Sequence, residues 1–221
     1  MNNKVIFVEL RKKFDNQEVN LSKIDELISK ENPKTISLAS TIQYLNLVPL
    51  IKKYLENKKI KVIIKKGSFY LGQVLGCNSI AFDPKADLRL LLADGKFHAL
   101  NNALQLEKEI YIFNTNDLEK LTQEEISKEI QRRTAKIKKF LTEDKIGILI
   151  STKKGQNFKD VESLAKKIKA KNKKSYIFEA DNFNLQELDN FNLPIYINTA
   201  CSGLELDNPR IVNLKHIYSY L

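Results

Sequence analysis

The sequence predicts an α/β protein made of two similar small domains, with parallel sheets and crossover helices, related by an internal repeat. Three observations predict it. Short apolar runs alternate with segments of 3.6-residue apolar periodicity. That alternation stops and restarts near the middle of the chain. Over 221 residues, 43% hydrophobic and 29% charged positions describe a globular chain with enough apolar surface for a core, not a disordered one.

In order, Val5 to Leu10 reads as a strand and Thr35 to Ala39 (TISLA) as a second. Leu45 to Glu56 reads as a helix, with Leu47, Val48, Leu50, Ile51, Tyr54 and Leu55 on its apolar side. Ile60 to Ile64, Arg89 to Leu92 and Ile110 to Phe113 read as further strands. Thr122 followed by Glu125 has the spacing of a capping box, and Ile126, Ile130, Ile137 and Leu141 then follow one helical face. Past that helix come a strand (Ile146 to Ile150), a helix (Val161 to Ala170) and two strands (Ser175 to Phe178, Leu193 to Ile197).

The restart is a repeat. ISLASTIQYLNLVPLIKKYLENKKIKVII in the first half matches IGILISTKKGQNFKDVESLAKKIKAKNKKSYIF in the second. Each is a strand ending in Ser-Thr, a loop with Gln, a basic helix, an Asn-Lys-Lys turn and a strand. Ser40-Thr41 aligns with Ser151-Thr152, and Lys58-Lys59 with Lys173-Lys174. Strand–helix–strand units of this length imply parallel pairing. The division is placed at 116/117, giving domains 1–116 and 117–221, with one cysteine in each. A pseudo-two-fold relation would give Cys77 and Cys201 comparable positions at the carboxyl ends of strands, where ligand sites of such sheets lie.

Charge and cysteine content exclude other classes. Net charge is +10, and residues 132–174 hold fifteen Lys/Arg against Glu143, Asp144, Asp160 and Glu162. Such a segment is a solvated helix face or an attractor for an acidic partner. Aromatic residues do not interleave with it, as a single-strand nucleic-acid groove would require. No apolar run reaches the roughly 18 to 20 residues of a membrane span, and the N-terminus lacks the pattern of a signal peptide. The expectation is a cytoplasmic protein without membrane association. Two cysteines 124 positions apart make no disulfide scaffold. In a reducing compartment they are packing residues, metal ligands or redox thiols.

Four constellations could carry chemistry. LGQVLGCN (71–78) sets Cys77 beside Gly76, which allows an unusual backbone angle or a close approach next to the sulfur. NTACSGLELD (198–207) sets Cys201 just after a strand. STKKGQ (151–156) offers backbone N–H groups and lysines to an anion, without phosphate-loop glycine spacing. DGKFH (94–98) is a turn followed by His98, structural or ligand-facing, and His216 receives no role. CxxxCxxC, HExxH, GxSxG and zinc-ribbon cysteine pairs are all absent.

GQVLGCN, DGKFH, RRTAKI, STKKGQ and NTAC…D, in this order, resemble the archaeal diphthamide synthase family, from the first strand to Asp207. The enzyme of that family is 2-(3-amino-3-carboxypropyl)histidine synthase. The resemblance implies a fold of three similar α/β domains, each giving one cysteine to a [4Fe–4S] cluster with one iron open to S-adenosyl-L-methionine. It implies reductive cleavage of that cofactor to a 3-amino-3-carboxypropyl radical, which is added to a histidine of elongation factor 2. By this resemblance Cys77 and Cys201 are cluster ligands. Thr152, Lys153, Gly155, Gln156 and Asp207 lie by the S-adenosyl-L-methionine.

Two departures matter. The chain resembles the second and third family domains only, so the first domain and its cysteine are lacking. Ser202-Gly203 stands where the family usually has Pro-Arg, which removes a fixed cation and a bidentate donor. A site-differentiated cluster needs three thiolates and one open iron. A symmetric homodimer would offer four thiolates and leave no iron open. The expectation is therefore a split enzyme, with a separate polypeptide supplying the first domain and third cysteine, and room for a dimer of the assembled enzyme. Two other readings stand beside it: a non-catalytic scaffold or electron-relay partner in the same pathway, and an unrelated α/β binding protein with structural cysteines.

Overall fold

The computed structural model describes residues 8–15 and 19–221. Half of the expected strand Val5 to Leu10 lies outside the described residues, and residues 8–10 are exposed and in no strand. The chain divides into two units, 1–128 and 129–221.

The first unit runs α1 (Ser22–Glu31), β1 (Thr35–Ser40), a 3₁₀ turn (Ile42–Leu47) leading into α2 (Val48–Asn57), and β2 (Lys61–Ile63). A long connection, residues 64–87, precedes β3 (Leu88–Leu92). Then come α3 (Phe97–Leu106), β4 (Ile110–Phe113), β5 (Leu118–Leu121) and the start of α4 (Gln123–Thr142). The sheet order is β2-β1-β3-β4-β5. The first four strands are parallel and β5 is antiparallel to β4.

The continuous apolar runs ISLA and LRLLL suit strands covered on both faces. Ile36, Leu38, Leu90 and Leu92 pack with Ile24 and Leu27 of α1 and Ile51 and Leu55 of α2. The capping box forms at the start of α4: the Glu125 N–H donates to Thr122 Oγ1 at 3.3 Å and the Thr122 N–H to Glu125 Oε2 at 2.9 Å. Because β5 pairs with β4, residues 117–128 go with the first unit, so the division falls inside α4 and not at 116/117.

The second unit contains β6 (Lys145–Ser151), α5 (Val161–Ala170), β7 (Lys174–Ala180), β8 (Ile195–Asn198), α6 (Leu204–Asp207), β9 (Ile211–Asn213) and α7 (Leu214–Ile217). Its strands are all parallel, in the order β7-β6-β8-β9. The alternation of β6 is physical: Ile146, Ile148 and Ile150 pack with Leu164 and Ile168 of α5, while Leu149 joins Leu188 and Tyr196 in a second cluster.

Numbered within each unit, both sheets have the order second-first-third-fourth, which is the internal repeat expressed as topology. The turn after the first crossover helix repeats bond for bond. Lys58, Lys59 and Ile60 donate to Leu55, Glu56 and Leu55 carbonyls, as Lys171, Asn172 and Lys173 donate to Ile168, Lys169 and Ile168. Lys59 and Asn172 both have positive φ, 63° and 59°. Lys59 therefore corresponds to Asn172. The textual match of the two Asn-Lys-Lys triplets is two residues out of register, because the left-handed position and not the residue name fixes the turn.

Candidate functional site

In each sheet the first and third strands are neighbours whose chains leave in opposite directions, and the carboxyl ends of such a pair are where ligands bind in open α/β sheets. The first edge lies beyond β1 and β3. Residues 72–74 run along it, with the Ser40 N–H donating to the Gly72 carbonyl at 2.8 Å and the Val74 N–H to the Ser40 carbonyl at 2.9 Å. This strap leads directly into Leu75, Gly76 and Cys77. A Cβ on Gly76 would come within 2.7 Å of the Phe97 ring, so the glycine serves a close approach, and α3 packs at its own start against the thiol loop. Buried Asn102 of α3 donates from Nδ2 to the Leu75 carbonyl at 3.0 Å and to the His98 carbonyl at 2.7 Å.

DGKFH lies at the same edge. Asp94 accepts from Lys12 and from the Tyr44 hydroxyl. Burial pushes its carboxyl up, but these two donors outweigh that and hold it below the ordinary aspartate range. His98 stands edge-on to Phe97 with ring centroids 5.2 Å apart. Burial pushes its pKa down, which favours the neutral imidazole.

The second edge lies beyond β6 and β8. STKKGQ leaves β6 there, and Thr199, just past β8, donates its N–H to the Leu149 carbonyl of β6 at 3.1 Å. Cys201 follows two residues later, so the structure brings Cys201 and the 152–156 loop to one sheet edge. Much of that loop is already engaged. Thr152 Oγ1 donates to Asp181 and Lys153 Nζ to Asn182. The N–H groups of Thr152, Lys153 and Gln156 go to Ala180, Ser151 and Lys153 oxygens at 3.1, 3.2 and 3.0 Å. Those three amides are thus engaged within the protein, that of Thr152 by the end of β7 and the other two within the turn. Gly155 makes the turn at φ 87°, with open space around it. Asp207 ends α6, and its side chain lies outside the described residues.

Cys77 and Cys201 are both free and exposed. Neither is a packing residue, the ordinary fate of a lone cysteine. Both lie at carboxyl edges, but not at equivalent points of the repeat. Cys201 follows the third strand of its sheet, the place that Asp94 to Phe97 take in the first unit. Cys77 comes instead from the connection between the second and third strands. The physical reason is the long 64–87 connection, which returns along β1 and carries the thiol to the edge by another route.

Sequence reasoning missed a buried polar cluster behind Cys201. Asn198 ends β8 and Asn213 ends β9, and the two are register partners. Asn198 Nδ2 donates to the Cys201 carbonyl at 2.8 Å and to Asn213 Oδ1 at 2.6 Å. Asn213 Nδ2 donates to the Ser202 carbonyl at 3.1 Å and to Glu205 Oε2 at 2.7 Å. Lys136 and Arg133, from RRTAKI, reach Glu205: Lys136 Nζ donates to its carbonyl, and Arg133 Nε lies 3.8 Å from its carboxylate. His216 Nε2 is 3.2 Å from the same oxygen, Oε2. Burial pushes the Glu205 carboxyl up, but His216, the Asn213 N–H and Arg133 together hold it below the usual range. The signal was present in the sequence: β8 and β9 both end in asparagine, IYIN and IVN, and a polar residue closing an apolar strand marks the ligand edge.

The family model described as a diphthamide synthesis protein matches residues 1–211. This chain belongs to the diphthamide synthesis protein family. Among relatives, it is 31% identical over 212 residues to the 2-(3-amino-3-carboxypropyl)histidine synthase of Methanocaldococcus jannaschii, covering 93% of this chain and 56% of that protein. It is 26% identical over 185 residues to the synthase of the same name from Pyrococcus horikoshii, covering 81% and 53%. The diphthamide-family fold is matched in crystal structures of Dph2 from Pyrococcus horikoshii. One has a TM-score of 0.78 and another, with a 4Fe-4S cluster, 0.76. Each is 24% identical, covering 90% of this chain and 60% of the other. The chain thus spans little more than half the length of the curated relatives it matches.

Proposed function

We propose that this chain is a subunit of a [4Fe–4S], S-adenosyl-L-methionine-dependent enzyme that transfers a 3-amino-3-carboxypropyl group to a histidine of elongation factor 2, in a reducing cytoplasm. The observation that carries the reading is the pair of exposed thiols at the carboxyl edges of two repeated α/β units, in a chain 31% identical to a protein of that name. Among the described residues no helix is long and apolar enough to cross a membrane.

The donor set fits in kind and falls short in number. Thiolates are the natural ligands of such a cluster, and both cysteines are free to reach one. Among the described residues no group of three His, Cys, Asp or Glu side chains stands ready for a metal ion. The group, when bound, supplies reductive cleavage of a carbon–sulfur bond in S-adenosyl-L-methionine. This chain's part is to present Cys77 and Cys201 as ligands and to offer Lys154 and the turn at Gly155 to the charged end of the cofactor. Asp207 and the remaining positions of the 152–156 loop are proposed to line the same place. The third thiolate comes from a separate polypeptide that resembles the uncovered part of the relatives. Exposed Phe69, Leu71 and Ile80 around the Cys77 loop, and Phe97 beside Gly76, support a docking surface there.

A second reading, a non-catalytic scaffold or electron-relay partner in the pathway, is favoured by Ser202-Gly203 alone. Separate Cys77→Ser and Cys201→Ser variants decide between them, assayed with the partner polypeptide for transfer to elongation factor 2. Loss of transfer in both is the expected result. Full transfer by either variant overturns the catalytic reading.

A further inference from the structure

We propose that buried asparagine carboxamides are the positioning residues of both thiol loops: Asn102 for Cys77, and Asn198 with Asn213 for Cys201. The inference rests on the reading of these thiols as ligands in the preceding section and adds what aims them.

The two devices are alike although the loops arise differently. In the first unit the wholly buried Asn102 donates to the Leu75 carbonyl, two residues before Cys77. In the second, Asn198 donates to the carbonyl of Cys201 itself and Asn213 to that of Ser202. In each case a side-chain amide draws loop carbonyls toward the protein, while the cysteine stays exposed. The orientation of each amide is dictated chemically. A flipped Asn102 would set its oxygen against two carbonyl oxygens, Leu75 and His98. Asn213 must turn its nitrogen toward the Ser202 carbonyl and the Glu205 carboxylate, so its oxygen is left to receive Asn198.

RRTAKI thereby gains a role. Lys136 and Arg133 come from α4 to Glu205, which holds Asn213, which holds Asn198 and the Cys201 turn. The Asn198 and Asn213 carboxamides are each bonded at both nitrogen and oxygen, and a buried amide so bonded fixes geometry because every alternative leaves it unpaired. Arg133 Nε and His216 Nε2, at the edge of the cluster, have no hydrogen-bond partner among the described residues. An exposed loop with no such anchor would sample many positions, and a ligand thiol must be held in place by partners of this kind.

The test uses the chain as it is, without iron, and measures alkylation of each thiol by iodoacetamide, peptide by peptide. Asn198→Ala removes the hydrogen bonds to the Cys201 carbonyl, to Asn213 and from the Ala200 N–H. It is expected to change the Cys201 rate by roughly tenfold or more, since the loss of even one such bond shifts a local equilibrium by about that factor. The Cys77 rate should stay as it was. Asn102→Ala is expected to give the opposite pattern. General destabilisation would move both thiols together, so the crossover is the signature of positioning. Equal rates in folded variants and parent, or both thiols moving together, overturn the proposal.

Should a variant not fold, amide exchange in the parent chain decides: the N–H groups of Ala200, Leu204 and Asn78, which bond to Asn198 Oδ1 and to the held Cys201 and Leu75 carbonyls, should exchange more slowly than those of Lys154 and Gly155. Equal exchange overturns the proposal. Iron loading separates it from the functional reading. Crossover without iron binding, even with the partner, leaves the positioning role standing and removes the ligand role. Iron binding without crossover does the reverse.

Discussion

Asp94 shows how much of the first site depends on side chains far apart in sequence. Its carboxylate is paired with Lys12 and hydrogen-bonded by Tyr44, which hold it below its ordinary range against the upward push of burial. A carboxyl whose folded pKa is depressed adds stability above its unfolded pKa, about 3.9 for aspartate. That stability is lost as pH falls through the lower folded value. Asp94→Asn should therefore be less stable than the parent at pH 6 to 7, with the gap closing on acidification toward about pH 3. Urea melts at a series of pH values measure this, and a gap independent of pH would contradict it. DGKFH announced a turn, but Lys12 as the partner was not legible, because no local pattern links positions 12 and 94. The two cysteines were singled out from sequence, and both are exposed. The asparagines were not singled out, since a lone Asn in sequence more often means a turn than a buried clamp.

At the scale of elements, periodicity carried what it should. Val161–Ala170 is helical over the span its pattern predicts, and β1, β3, β4 and β6 fall within a residue of expectation. Most elements not read from sequence have weak patterns; the exception is α1, whose Ile24, Leu27 and Ile28 follow one helical face. β5 and β9 are four and three residues long. In α3, adjacent Asn101 and Asn102 break the apolar run, yet both are buried. Tertiary contact decided these elements, not local propensity. The capping box at α4 is a local device and was readable as such. Thr122→Ala should cost about 1 kcal/mol, the usual worth of such a cap. Thermal and urea unfolding measure it, and an unchanged midpoint would show that tertiary packing alone holds the start of α4.

At the scale of the whole molecule, the internal repeat is real as topology, with both sheets wound in the same order. It is not a repeat of the chemistry, since the two thiols reach their edges from different connections. Net charge of +10, concentrated in residues 132–174, gives the chain a field that attracts an acidic protein. Under the proposed function, association with elongation factor 2 should weaken as salt rises, chiefly through a slower on-rate. Surface plasmon resonance across a salt series measures this, and salt-independent binding would remove the basic segment from substrate capture. The chain covers 56% and 53% of the synthases it resembles. It has two cysteines, both exposed, and under the proposed function these are its share of the cluster ligands.

The central claim is that this chain holds a cluster jointly with another polypeptide. The most direct measurement is iron content and the electron paramagnetic resonance spectrum of the reduced protein. It is made anaerobically on the chain alone and with a partner carrying the third cysteine, each with and without S-adenosyl-L-methionine. The account predicts a [4Fe–4S] signal that needs the partner and shifts when S-adenosyl-L-methionine is added. A complete, S-adenosyl-L-methionine-responsive cluster on the chain alone would contradict the split, and no cluster under any of the four conditions would contradict the ligand role of Cys77 and Cys201.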